Sequence, residues 1–97
     1  MPAVCRGDSV DSDVAHCSGM NRDQRSDNVK VNGTGISREG EHNTSHLIPS
    51  ATPCPAHTAP ITSGSSTVKI NGKGCGRVGD ATCTSVASGS SNVFAGP

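Results

Sequence analysis

At 97 residues the chain reads as one small domain, 1–97, in which eight Lys and Arg balance eight Asp and Glu. Zero formal charge leaves no electrostatic footprint for nucleic acid or for an acidic membrane. The large apolar residues are nine Val, four Ile, one Leu and one Phe, too few for an ordinary core, so a staple or a partner is expected to help hold the fold.

Residues 5–25 are polar, interrupted by glycine and without an apolar stripe at helical spacing; one helical turn around Met20–Arg25 is the only helix candidate. Residues 26–33 read as a first strand, because Val29 and Val31 alternate with polar residues and run into Asn32-Gly33, a pair that tolerates positive φ. Residues 34–41 turn through Gly35 and Gly40. Residues 42–60 carry three His, one Cys and prolines at 49, 53, 55 and 60, so they read as a long loop rather than a strand or helix. A loop of that length in so small a domain is functional or tied down. A second strand is expected over 61–72, then a turn through Gly74, Gly76 and Gly79, and a last strand over 84–95.

The strand phrase is written three times. Ser26-Asp27-Asn28-Val29-Lys30-Val31-Asn32-Gly33 returns 39 residues later as Ser65-Ser66-Thr67-Val68-Lys69-Ile70-Asn71-Gly72. It returns once more as Ser90-Ser91-Asn92-Val93-Phe94-Ala95-Gly96. Gly76-Arg77-Val78-Gly79-Asp80 follows Ser37-Arg38-Glu39-Gly40-Glu41 at the same offset. Reuse of one small unit predicts a compact all-β object with pseudo-threefold character, in which Val29, Val68 and Val93 occupy related places.

Cysteines 5, 17, 54, 75 and 83 are odd in number and cannot all pair within the chain. No apolar stretch near Met1 has the form of a secretion signal, so folding in a reducing cytoplasm is expected, with thiols free or bound to metal. In a disulfide reading Cys5–Cys17 and Cys75–Cys83 would be the pairs. More simply, Cys5, Cys17, Cys75 and Cys83 are small buried apolar residues.

Cys54-Pro55-Ala56-His57 is the sharpest chemical signal: a thiolate and an imidazole three positions apart, on a backbone stiffened by prolines. Zinc takes four such ligands in a tetrahedron, and His16, His42, His46 or another cysteine would supply the rest. His16 would stitch the first loop to the central one. Enough ligands to close all four positions favour a structural site over a catalytic one. A Cys54–His57 nucleophile pair lacks an orienting third group, so no catalytic residue is assigned. Arg6-Gly7-Asp8 has the form of an adhesion tripeptide, but Arg77-Val78-Gly79-Asp80 marks it as a variant of the repeat's turn. Asn32-Gly33-Thr34 and Asn43-Thr44-Ser45 match a glycosylation pattern and read here as turns.

Together the repeats, the Arg-x-Gly-Asp-like turns, Met1-Pro2-Ala3 and the Cys/His loop resemble the PAAR-repeat proteins, which cap the spikes of contractile injection machines. The likeness covers essentially the whole chain and, with no effector domain attached, is to the stand-alone tip of a T4-like phage spike. It implies a small conical, three-sided β fold whose vertex is pinned by one structural metal ion, usually zinc, with iron as the alternative. Carried onto this sequence, the ligands are His16, His46, Cys54 and His57, with His42 competing with His46. The departures are a turn ending in Glu41 and a longer first loop. The implied function is to cap a trimeric β-helical spike protein, one tip per trimer, and to sharpen it for mechanical puncture of the target cell's outer membrane. The implied place is the spike tip of a virion tail baseplate. The strand ends near Val29, Val68, Val93 and Phe94 would dock on the trimer. The alternative is a small metal-binding adaptor or regulatory module.

Overall fold

The computed structural model describes residues 1–15, 19–47 and 56–96. Among these residues there is no helix, and eight two-residue strands pair into four antiparallel ribbons. β1 (Ser12–Asp13) pairs with β2 (Met20–Asn21), and β3 (Lys30–Val31) with β4 (Thr34–Gly35). β5 (His46–Leu47) pairs with β6 (Ala56–His57), and β7 (Lys69–Ile70) with β8 (Lys73–Gly74). The all-β expectation holds. The strands expected over 26–33, 61–72 and 84–95 shrink to these short ladders and to isolated bridges such as Ala3 with Phe94. The helical turn expected at Met20–Arg25 is instead β2 and a bridge from Arg22 to Asn43. Met20 and Arg22 are buried while Asn21 and Asp23 are exposed, a period-two pattern that the charge of Arg22 hides in the sequence.

β3–β4 and β7–β8 close through Asn32-Gly33 and Asn71-Gly72, with φ of 53° at both Asn and 82° and 83° at the two Gly. Two successive left-handed residues make the turn whose twist suits a tight hairpin.

Three copies of one bonding pattern build the body. One occupies 26–41 and another 65–80. The third is split, its first half from 90–96 and its second from 3–11. The hydroxyl oxygen of Ser26 accepts the amides of Asn28 and Val29 at 3.3 and 3.0 Å. Ser65 does so for Thr67 and Val68 at 3.2 and 2.9 Å, and Ser90 for Asn92 and Val93 at 3.2 and 3.0 Å. The amides of Ile36, Cys75 and Val4 donate to the carbonyls of Val29, Val68 and Val93 at 3.0, 2.9 and 3.0 Å. One position further on, the copies join. Ser37 N donates to Cys5 O at 3.1 Å, Gly76 N to Ser37 O at 3.0 Å, and Cys5 N to Gly76 O at 3.0 Å. These three bonds form a closed ring, which is the pseudo-threefold centre of the molecule. Gly76 is required there, because a Cβ would lie 2.4 Å from Ser37 O and 2.8 Å from Cys5 Sγ.

On one side of the ring lies a core of Val4, Ile36 and Cys75 with Val31, Ile70 and Ala95, two residues from each copy, and Val29, Val68 and Val93 pack against it half-buried. A second cluster is formed by Cys5, Ile61 and Val86.

Each copy then turns on a partly buried ion pair. Arg38 binds Glu41 through its amide, Nε and Nη2, all at 2.8 Å. Arg77 and Asp80 repeat the arrangement, as do Arg6 and Asp11. These pairs hold the guanidinium pKa of Arg38 and of Arg6 above the ordinary value, chiefly through the hydrogen bonds to the carboxylates. Each guanidinium also donates to a neighbouring copy, to Asn71 Oδ1 from Arg38, Asn32 Oδ1 from Arg6 and Gly96 O from Arg77. The Arg6 turn is a variant of the repeat's turn, but its carboxylate is Asp11 rather than Asp8. Two extra residues, Asp8 and Ser9, sit at φ 53° and 61°, and Asp8 pairs with Arg25 instead. The molecule is elongated, 39 × 23 × 22 Å, with its two short extents nearly equal.

Candidate functional site

After each turn carboxylate the chain makes one excursion before it rejoins the body. The excursions span residues 12–21, 42–60 and 81–85, and end at Arg22, Ile61 and Val86. The amides of those three residues donate back to the carbonyls of Asp11, Glu41 and Asp80 at 2.7, 3.2 and 3.0 Å. The copies therefore match up to this point and diverge beyond it. All the histidines lie on excursions, His16 on the first and His42, His46 and His57 on the second with Cys54.

His16 and Cys54 lie outside the described residues, as does Cys17. The expected long loop contains the β5–β6 ribbon, whose register sets His46 directly opposite His57 and Leu47 opposite Ala56. His57 Nε2 is buried. His42 lies at the ribbon's root, where it bridges Pro60. It is exposed, its Nδ1 is 3.3 Å from Thr58 Oγ1, and its amide donates to Gln24 Oε1. Strand register thus sets His46 opposite His57 and His42 opposite Pro60. Among the described residues no three His, Cys, Asp or Glu side chains gather at one point.

Beneath this ribbon the excursions meet in a buried polar network that the sequence reading missed. Arg22, fully buried, donates from Nη1 to Asp13 Oδ2 at 2.7 Å, from Nε to Ser37 Oγ at 3.2 Å and from Nη2 to the Glu41 carbonyl. Asn43 Nδ2 donates to the same Asp13 oxygen at 2.9 Å, and Asn43 Oδ1 accepts the Ala59 amide at 2.8 Å. Asn43 is 1% exposed, so its glycosylation pattern has no structural outlet. Asp13 Oδ1 is buried without a hydrogen-bond partner among the described residues. The signal was present in retrospect: the places matching Arg22 in the other copies hold Ile61 and Val86, so a cation there stands at a core position.

The cysteines divide. Cys5 and Cys75 are buried thiols, as expected, and burial raises both pKa values, that of Cys75 to about 11. Cys83 is exposed, against expectation, and stands on the third and shortest excursion; its Sγ lies 4.0 Å from Met20 Sδ. Cys75 and Cys83 do not form a disulfide.

At the opposite side of the ring, Val29, Val68 and Val93 are held in equivalent places by the Ser26, Ser65 and Ser90 caps. Phe94, next to Val93, is 50% exposed, which is unusual for the single aromatic residue of a chain so poor in apolar side chains.

Comparison with curated proteins gives no match. Residues 51–96 match the PAAR motif, a stretch that holds β6, the whole second copy and the first half of the third.

Proposed function

We propose that the chain is a PAAR-repeat spike tip: a non-enzymatic cap on the end of a trimeric β-helical spike in a contractile injection machine, of the stand-alone kind carried by T4-like phage tails. One observation carries the reading. Three equivalent copies close into a ring of main-chain hydrogen bonds through Cys5, Ser37 and Gly76, and a single chain can cover a threefold end only if it offers three like surfaces. The PAAR match over 51–96 points the same way, and residues 3–11 and 26–41 repeat the bonding of the matched part.

In this reading the docking face is the end that carries Val29, Val68, Val93 and Phe94. Half-buried valines there would be covered by the trimer, along with strand edges that a small sheet otherwise leaves open. The excursion end is the vertex that meets the target envelope. One structural metal ion, zinc or alternatively iron, would be held there by His16, His46, Cys54 and His57. The donor set suits zinc, which favours imidazole and thiolate. The cross-strand pairing of His46 with His57 brings two of the four ligand positions together, since directly opposed residues are the closest pairs across a ribbon.

The test is co-expression with the trimeric β-helical spike protein of the same machine, followed by native mass spectrometry. One chain per trimer is the expected stoichiometry. A chain that remains unbound in the presence of the folded trimer would overturn the proposal.

A further inference from the structure

The three copies differ at one exposed position of the hairpins, and that difference constrains the partner. Lys30 faces Gly35 across its ribbon, Lys69 faces Gly74, and Phe94 faces Ala3. Gly35, Gly74 and Ala3 are themselves equivalent, because their carbonyls accept the amides of Gly7, Glu39 and Val78 at 3.0, 2.8 and 2.9 Å. Register and bonding therefore place Lys30, Lys69 and Phe94 at one pseudo-threefold position, and all three are exposed.

Charge use sharpens the contrast. The arginines at 6, 22, 25, 38 and 77 are each ion-paired within the chain. The three lysines, 30, 69 and 73, all lie on the two Asn-Gly hairpins, are exposed, and enter no ion pair among the described residues. The chain has thus neutralised its guanidinium groups internally and left two of its three ammonium groups, those of Lys30 and Lys69, at the corners of the body; Lys73 lines a hollow with Asp8, Asp23 and Glu41.

A threefold partner must set the same side chains opposite all three corners. Whatever it places at Lys30 it also places at Lys69 and at Phe94. We propose that each corner of the spike trimer's end carries a carboxylate beside an apolar side chain. The apolar group would take the Phe94 ring or a lysine's methylene stem, and the carboxylate would take the ammonium at two corners. This inference rests on the reading of the chain as the cap of a threefold trimer.

The experiment measures affinity of the full-length chain for the spike trimer across a series of salt concentrations. The Lys30→Glu/Lys69→Glu variant should bind at least about tenfold more weakly at low salt, with its melting temperature unchanged, since like charges would then meet at two corners. Lys30→Met/Lys69→Met, which keeps the stems, should lose less and flatten the salt dependence. Phe94→Lys should still form the complex and steepen the salt dependence. Equal affinity for the parent and the Glu variant, or loss of the complex in a folded Phe94→Lys chain, would overturn the corner chemistry alone. Failure of the parent chain to bind the folded trimer would instead overturn the capping function itself.

Discussion

The ring-centred body and the excursion end meet the same shortage of apolar residues in different ways. In the body one pattern is used three times. Serine caps and the ring through Cys5, Ser37 and Gly76 are each modest, about 0.5–1.5 kcal/mol net for a typical hydrogen bond, and the charged guanidinium contacts of Arg6, Arg38 and Arg77 about 1.5–3 kcal/mol. Repetition multiplies them. At the excursion end the copies diverge in length, and where two of them bury Ile61 and Val86 the first buries Arg22. Nothing there is repeated, so stability rests on individual side chains. Single substitutions should cost more at the excursion end than in the body.

The largest effect is expected at the proposed metal ligands. Cys54→Ala or His57→Ala should each abolish stoichiometric metal and sharply lower the melting temperature. Structural zinc contributes roughly 10–16 kcal/mol apparent in small finger peptides, and a core this small should not withstand its loss. His42→Ala should keep the metal, because His42 sits at the root of the ribbon opposite Pro60, whereas His46→Ala should lose it. Elemental analysis with calorimetry decides the matter; one metal per chain persisting in both Cys54→Ala and His57→Ala would refute the site.

Next comes the buried pair. Arg22→Ala removes the counter-ion of a fully buried carboxylate and should cost about 3–5 kcal/mol in urea unfolding. Arg22→Ile with Asp13→Asn makes the first copy resemble the others, and Asn there matches Asn43 of the second excursion. The double variant should recover most of that loss. If single and double variants lose equally, packing rather than charge governs the position, and the contrast between the two ends weakens.

In the body the residue to test is Gly76, because it sits in the ring itself. Its Cβ in Gly76→Ala would press on Ser37 O and Cys5 Sγ, and overpacking of this kind costs about 1–3 kcal/mol. The variant should lose stability while retaining metal, because the added Cβ would press on the ring and on Ile61 Cδ1 at the foot of the second excursion, not on the ribbon that pairs His46 with His57. Loss of metal in Gly76→Ala would show the two ends to be coupled.

How far the sequence revealed this division follows from what repeats. Ser26, Ser65 and Ser90 each stand three residues before Val29, Val68 and Val93, and apolar residues two apart follow in every copy, with Asn-Gly turns in the first two, so the copies are legible in the sequence. Closure was harder to see. The third copy is completed by Val4-Cys5-Arg6 from the other end of the chain, and only main-chain bonding joins it to Val93. The carboxylate of that copy is Asp11 rather than Asp8, since an insertion of two residues lengthens the Arg6 turn, a shift that the Arg-x-Gly-Asp spacing does not show. The excursions carry no internal repeat, so neither the pairing of His46 with His57 nor the burial of Arg22 could be read from spacing. A strand of two residues leaves too short a period to detect.

The smallest predicted effect tests whether copies are interchangeable within the body. Cys75 stands where the other copies have Val4 and Ile36. Burial pushes its thiol from an ordinary value of 9.0 up to about 11. Below about pH 9 folded and unfolded chains both keep this proton, and its contribution to stability is constant. Above that the unfolded chain releases the proton while the folded chain holds it, so stability falls as pH rises towards 11. Cys5, raised in the same direction by its own burial, adds to the fall. Cys75→Val removes one of the two titrations and installs the residue that the third copy already uses. At neutral pH the one added methyl group should cost about 1 kcal/mol, the low end for overpacking, because the third copy already holds Val4 at this place. Between pH 9 and 11 the variant should lose stability less steeply than the parent in urea titrations. An unchanged slope would mean that the Cys75 thiol titrates in the folded body as it does in the unfolded chain, and that the body is looser at this copy than at the other two.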